Sequence, residues 1–545
     1  MSVSVDERRH EPLHGRRGRV VPWVLRSLPL TAVLLAVAVL YGTNLGGYPA
    51  FVNDDEGTYY AQAWAVLTQG RLTHYSYWYD HPPLGWIQLA AGLPLGRRLS
   101  GDAPVLVGGR AVMAAVMVVS AALLHRVAGN LGLPRAARLV VVLVWCLSPL
   151  TVFLGRQVLL DSVALAWLLA SVAAATGPGD RRRHVLSGLC FGIAVLSKET
   201  ALLAGPGILV ALCTVGGGRP RRRAVTDWLA AAGLVPGCYL LVTALAGDAP
   251  ALLGAVAWQL GGREGSGSVL DAGSVAHGVL ASWLAHDPYL LLVGTAVAPL
   301  ALLSRTGRGI ALIPLVLVAA GLRPGGYLPA MHAILVLPFL ALVVVHTAWR
   351  AWRTVRDRGH APAPLPRPAA TAARAAPAVL VALVAAAVVV VAPPWARGAR
   401  AALTQDHNAP YRQALAFVAT RVPRDTVVLT DDTTWNDLVR LGWSGDGWEG
   451  PLWHYKLDRD PDAAAHLPDG WRDVDYVLAG RGMGSLLGTD AISWQQSPQV
   501  LSAWQNSTVV RAWGPADAQV VLRRVDPDGT DGCVRWTCPA HEPTW

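Results

Sequence analysis

Long apolar runs alternate with short polar connections along most of the chain. About eleven of these runs approach the ~20 residues that a membrane-spanning helix needs. They cover roughly 22–42, 104–126, 138–155, 158–176, 184–197, 199–215, 226–246, 288–304, 309–322, 326–347 and 376–394. The segment 43–103 interrupts this rhythm. It opens on Asn53-Asp54-Asp55-Glu56, an N-x-x-E pattern like a capping box with Asn in the place of Ser or Thr. The pattern predicts a helix from Glu56 to Thr68, ended by Gly70. Tyr60, Ala63, Trp64 and Leu67 share one face of it, so the helix is expected to lie in the membrane interface. Tyr75, Tyr77, Trp78 and Tyr79 then lead into Asp80-His81-Pro82-Pro83, where proline suits the first turn of a second helix.

The rhythm changes again after residue 394. Strand-like runs at 426–431, 474–480 and 518–525 alternate with a helix-like run at 410–422, which predicts a small α/β unit. Its Trp435, Trp443, Trp448, Trp453, Trp471 and Trp494 are expected to be mostly core, with stacking on a sugar or anchoring of a partner as the alternative. The Pro/Ala-rich stretch 360–376 reads as a flexible linker. The expected organisation is a membrane domain over 1–394, with 43–103 as its first outer loop, and a soluble α/β domain over 395–545.

Composition agrees with a polytopic α-helical membrane protein. Of 545 residues, 53% are hydrophobic and 15% charged, against about 25% charged in soluble domains. Mean hydropathy is +0.37. A net charge of +10 would suggest nucleic acid in a soluble protein. Here the Arg residues fall in short connections and report topology, so no nucleic-acid partner is expected. Basic connections at 126–138, 180–184, 219–223, 305–308 and 349–360 assign one side to the cytoplasm. The N-terminus then starts inside, with the first span as an uncleaved start-transfer helix. The loop 43–103, the segment 247–287 and everything after 395 lie outside, at the plasma membrane. Cys146, Cys190, Cys213 and Cys238 sit in apolar runs and read as inert core residues. Cys533 and Cys538, close together in an outer tail, suit a small-loop disulfide.

Charges at the outer ends of the spans carry the candidate chemistry. Asp161 lies in an apolar run just past an outer turn, where a carboxylate is expensive and is read as functional. Lysine occurs only at Lys198 and Lys456. Lys198 occupies an outer turn, as do Arg156 and Arg323, and with a protonated His81 they would form a phosphate subsite. Asp80 and His81 sit at a helix entrance, where anions bind. The bland alternatives are a solvated acidic helix start, an aromatic belt and snorkelling cations.

Three stretches, DDEGTYYAQAW…YWYDHPPLG, LLDSVALAW and LSKETALL, resemble the GT-C membrane glycosyltransferases. They are most similar to the protein O-mannosyltransferases and the lipid A aminoarabinose transferases. The resemblance spans about 1–350. It implies a GT-C fold with interfacial helices in the first outer loop, and transfer of a sugar from a polyprenyl-phosphate donor to an acceptor hydroxyl. The acceptor would be a protein, a cell-wall glycan or a glycolipid. By the resemblance, the acidic pair maps onto Asp55-Glu56 and the carboxylate of the fourth span onto Asp161; Asp55 is the expected base. Asp80, His81, Arg156, Lys198, Arg323, Tyr59 and Tyr79 are the expected contacts to donor phosphate and sugar. Some members of the superfamily bind a divalent metal and others do not. No close ligand cluster stands in this sequence, so no metal or other cofactor is expected. The competing reading is a transporter or flippase of lipid-linked sugars. It predicts midplane charges and inverted repeats, neither of which is apparent.

Overall fold

The computed structural model describes residues 17–215, 221–359, 367–480, 482–483, 497–516 and 519–526. The apolar runs fold as helices because, in lipid, a backbone must satisfy its own polar groups. In chain order these are α1 (Arg17–Gly42), α2 (Asp54–Thr68), α3 (Leu84–Ser100), α4 (Val105–Asn130), α5 (Arg135–Cys146), α6 (Pro149–Gly155), α7 (Leu160–Ala175) and α8 (Arg181–Ser197). They continue as α9 (Gly205–Thr214), α10 (Arg221–Leu245), α11 (Ala249–Ala257), α12 (Val275–His286), α13 (Pro288–Ala301), α14 (Arg308–Gly321), α15 (Ala333–Gly359) and α16 (Arg367–Thr404). Among the described residues, four helices are long and apolar enough to cross a membrane, or up to six if each of two bent pairs counts as one span. Shorter apolar helices fill the remaining runs.

Several departures from the expected pattern have local causes. The third run bends by 66° between α5 and α6, where Ser148 caps a new helix that begins with Pro149. The sixth run opens as a 3-10 turn over Glu199–Ala204 before α9. The segment 247–287 is largely helical: α11 runs into a π-helical turn at Trp258–Gly262, and α12 meets α13 at 106°. The expected linker is mostly helix, since α16 already begins at Arg367; residues 360–366 lie outside the described part. Cys146 and Cys190 are buried as expected, but Cys238 is exposed on α10. Cys533, Cys538 and Trp494 fall outside the described residues.

Helix α15 is the central strut, with 83% of its apolar window buried; none of the apolar window of α16 is buried. Exposed Val379, Leu383 and Val389 on α16 are unexplained in water but natural in lipid, where apolar side chains face apolar solvent.

The C-terminal part comprises α17 (Ala409–Arg421), β1 (Val428–Thr430), α18 (Asp432–Arg440), β2 (Pro451–Trp453), α19 (His454–Arg459), β3 (Tyr476–Ala479), β4 (Ser507–Trp513) and β5 (Val520–Val525). The sheet order is β2-β1-β3-β5-β4. β1 runs parallel to β2 and β3, and β5 antiparallel to β3 and β4. Strands β1, β3 and β5 overlap the three expected ones; β2 and β4 do not follow from the pattern. Trp435 and Trp443 are core residues, whereas Trp448, Trp453 and Trp471 are half-buried.

This unit is seated on the segment 43–103. Gly57 in α2 lies so close to the Asp432–Thr433 backbone that a Cβ there would clash. Asn436 donates to the Gly57 carbonyl at 2.9 Å. Asp437 accepts the Val105 N–H at the start of α4 at 3.1 Å.

Candidate active site

The start of α2 is held from three sides. The Asn53 side chain accepts the Asp55 N–H at 3.2 Å, which fixes the first turn. Glu56 does not complete a capping box. It is fully buried, accepts Arg110 Nη2 and Nε at 2.6 and 2.9 Å, and takes the Val158 N–H at 2.9 Å. The bidentate pair ties the loop to α4, and the Val158 bond ties it to the segment leading into α7, so Glu56 is scaffold. The third hold acts on Asp54. Its carboxylate accepts the Trp453 indole N–H at 2.7 Å and the Asp432 N–H at 2.9 Å, with His454 Nε2 at 3.5 Å.

Asp54 and Asp55 therefore differ in kind. Burial opposes the charge on Asp54, but His454, Trp453 and the Asp432 N–H outweigh it and hold Asp54 below the usual carboxylate range. Burial pushes Asp55 upward, only partly offset by Lys198 and His81. No described hydrogen bond engages the Asp55 carboxylate, which lines a cavity of about 830 Å³. Neighbouring carboxylates whose environments separate their pKa values are a sign of acid–base assignment.

Across from Asp55, α3 carries His81 at its entrance. Gly85 lets this helix approach the Ser197 carbonyl, which would stand 2.7 Å from a Cβ. His81 thus reaches Lys198. The Lys198 ammonium is 3.0 Å from His81 Nε2, and an ammonium only donates, so Nε2 accepts. His81 Nδ1 then carries the proton and donates to Glu199 Oε2 at 3.1 Å. Lys198 is itself buried, donates to the Tyr59 hydroxyl at 3.4 Å, and lies 3.9 Å from Glu199 Oε1. Asp161, in the first turn of α7, is buried, within electrostatic range of Lys198, and its Oδ2 has no partner among the described residues.

The structure brings together Asp55, Tyr59, Asp80, His81, Asp161 and Lys198. Asp80 accepts the His81 N–H at 3.0 Å and faces the cavity. Besides Glu56, three expected residues stand elsewhere. Arg156 is fully buried and donates to the Leu40, Thr43 and Tyr48 carbonyls; it satisfies free carbonyls at and just beyond the end of α1, away from the cavity. Arg323 is exposed and does not line the cavity. Tyr79, at φ 57°, gives its hydroxyl to Asp248 at 2.5 Å.

The cavity also holds residues the sequence did not single out. Arg263 lines it and stacks 3.4 Å over the Tyr327 ring, taking the place expected for Arg323. Trp453, His454, Tyr455, Lys456 and Arg459 of the C-terminal unit form another part of the wall. Of these, Trp453 was noted as one of the tryptophans of the C-terminal unit and Lys456 as one of two lysines in the chain; the other three carried no signal. Among the described residues no group of three or more His, Cys, Asp or Glu side chains is arranged to hold a metal ion.

Comparison with known proteins agrees with this architecture. Residues 80–258 match the family model described as dolichyl-phosphate-mannose-protein mannosyltransferase. No curated protein matches the chain. Among solved structures, ArnT from Cupriavidus metallidurans bound to undecaprenyl phosphate is similar at TM-score 0.54 and 15% identity, over 93% of this chain and 98% of that one. Its apo form gives 0.55 and 15%, over 92% and 98%. The archaeal oligosaccharyltransferase AglB from Archaeoglobus fulgidus, in complex with an inhibitory peptide and a dolichol-phosphate, gives 0.51 and 12%, over 95% and 75%. Family match and shared fold point together to the GT-C superfamily of membrane glycosyltransferases.

Proposed function

We propose that this protein transfers a hexosyl or pentosyl group from a polyprenyl-phosphate donor to an acceptor hydroxyl, at the extracytoplasmic face and with inversion. One observation carries the reading: a free carboxylate of raised pKa and a buried ammonium–imidazole–carboxylate chain meet beside one cavity. The acceptor oxygen attacks the anomeric carbon while Asp55 takes its proton. The bond from that carbon to the phosphate oxygen breaks, and its electron pair leaves with the phosphate. Lys198 balances the charge that develops there. His81 holds Lys198 in place and Glu199 holds His81, so little reorganisation accompanies the step. Asp161 keeps a cation favoured at Lys198. Arg263 is a second cation for the anionic donor. The N-terminus is cytoplasmic in this reading, and the C-terminal unit covers the site from outside.

The test is binding of undecaprenyl phosphate, the lipid present in the ArnT structure, to the full-length protein in nanodiscs. Lys198→Ala should weaken binding at least tenfold, and Asp55→Asn should leave it within about twofold. Unchanged binding by folded Lys198→Ala would remove Lys198 from the phosphate site.

A further inference from the structure

The part of the cavity wall supplied by the C-terminal unit is not used in the transfer step above, and it is aromatic. Trp453 and Tyr455 stack with centroids 5.1 Å apart and planes 23° from parallel. Trp78 of the outer loop meets Tyr455 at 5.6 Å. All three rings are half-buried and line the cavity. Lys456 lies 3.8 Å over the Trp78 ring and is held by Asp460 at 3.2 Å, which fixes Trp78 in place. Trp258 adds a further ring on the same cavity and is 42% exposed.

This wall begins beside the candidate base. The Trp453 indole holds Asp54 at 2.7 Å, and Asp55 is the next residue. A molecule lying on the stack would present its edge to Asp55. Aromatic faces are electron-rich and flat. They suit a ring with polarised C–H bonds on its faces and hydroxyls on its rim, which describes a sugar.

A peptide would need something different. One way an extended peptide binds is by adding a strand to a free sheet edge, and β2 is the edge strand next to the cavity. That edge is poor in donors. Pro451 has no N–H, and the Trp453 N–H is already given to the Tyr75 hydroxyl at 2.9 Å.

We infer that the Trp78–Trp453–Tyr455 wall is the acceptor subsite, and that the acceptor it takes is a carbohydrate rather than a polypeptide. The inference rests on the transferase reading, which it deepens. Its test is saturation-transfer NMR on the full-length protein in nanodiscs. The probes are a panel of methyl pentofuranosides and methyl hexopyranosides, and separately a Ser/Thr-containing octapeptide. At least one glycoside should receive saturation, and Tyr455→Ala should reduce its affinity at least tenfold. Tyr455→Phe, which keeps the ring, should retain binding within about threefold. Undecaprenyl phosphate affinity should not change in either variant, which also shows that both are folded. Silence from every glycoside, or glycoside binding that Tyr455→Ala leaves intact, would overturn the inference. Octapeptide binding lost in Tyr455→Ala would overturn it too, in favour of a peptide acceptor. Loss of donor-lipid binding in the wild-type protein would instead refute the transferase reading.

Discussion

Asp55 keeps a raised pKa because burial disfavours its charge and no described hydrogen bond compensates. A base must be ionised to work, so activity is lost as pH falls through that raised value. The acid limb of the pH–rate profile should therefore sit above the ordinary carboxylate range, which ends near ~4 for Asp. A limb at or below that range would contradict the environment described for Asp55. Glu56, its neighbour, is a different kind of residue. Its pairing with Arg110 is dry on both sides, and removing one partner of such a pair costs roughly 3–5 kcal/mol. Glu56→Ala should lower the melting temperature markedly in a thermal unfolding assay, and a melting temperature like the wild type's would refute the scaffold role. Sequence alone made Asp55 and Glu56 look alike. Their difference comes from Arg110, 54 residues away, and long-range partners leave no local mark. The same holds for Arg156, whose outward turn suggested a ligand while its guanidinium bonds carbonyls at and just beyond the end of α1.

At the scale of elements, α2 and α18 touch through Gly57. A side chain there meets the Asp432–Thr433 backbone, which cannot yield as a flexible side chain can. Gly57→Val should lift the C-terminal unit from the loop and free Asp54 from Trp453. We expect faster proteolytic release of a C-terminal fragment together with at least a tenfold loss of transfer. Wild-type proteolysis and activity would show that the junction is dispensable. The helices themselves were legible because a 20-residue apolar run in a lipid solvent has few alternatives. The α2 start was legible from Asn53. The bends at Pro149 and Pro288 were less so, since periodicity reports helix but not direction. Strand β2 was invisible: three residues with a leading proline make no alternating pattern.

At the scale of the molecule, the proposed topology puts the Arg-rich connections on the cytoplasmic side and the candidate site on the other. Cysteines introduced at Asp271 and Arg353, both exposed, should label oppositely with an impermeant maleimide in intact cells: Asp271→Cys reactive, Arg353→Cys silent until lysis. The reverse pattern would place the site in the cytoplasm. What no single stretch disclosed is that the C-terminal unit completes the cavity. Its wall residues stand some 400 positions from Asp54, as the Trp453 bond shows at a separation of 399. The central claim is that Asp55 performs the proton transfer in a site that binds its lipid donor without it. Sugar transfer from a labelled polyprenyl-phosphate donor pool, measured on wild-type and Asp55→Asn protein alongside undecaprenyl phosphate binding, tests this directly. The account predicts full lipid binding with transfer lowered about 10²- to 10⁴-fold, the usual worth of a general base. Transfer by a folded Asp55→Asn protein at the wild-type rate would contradict it.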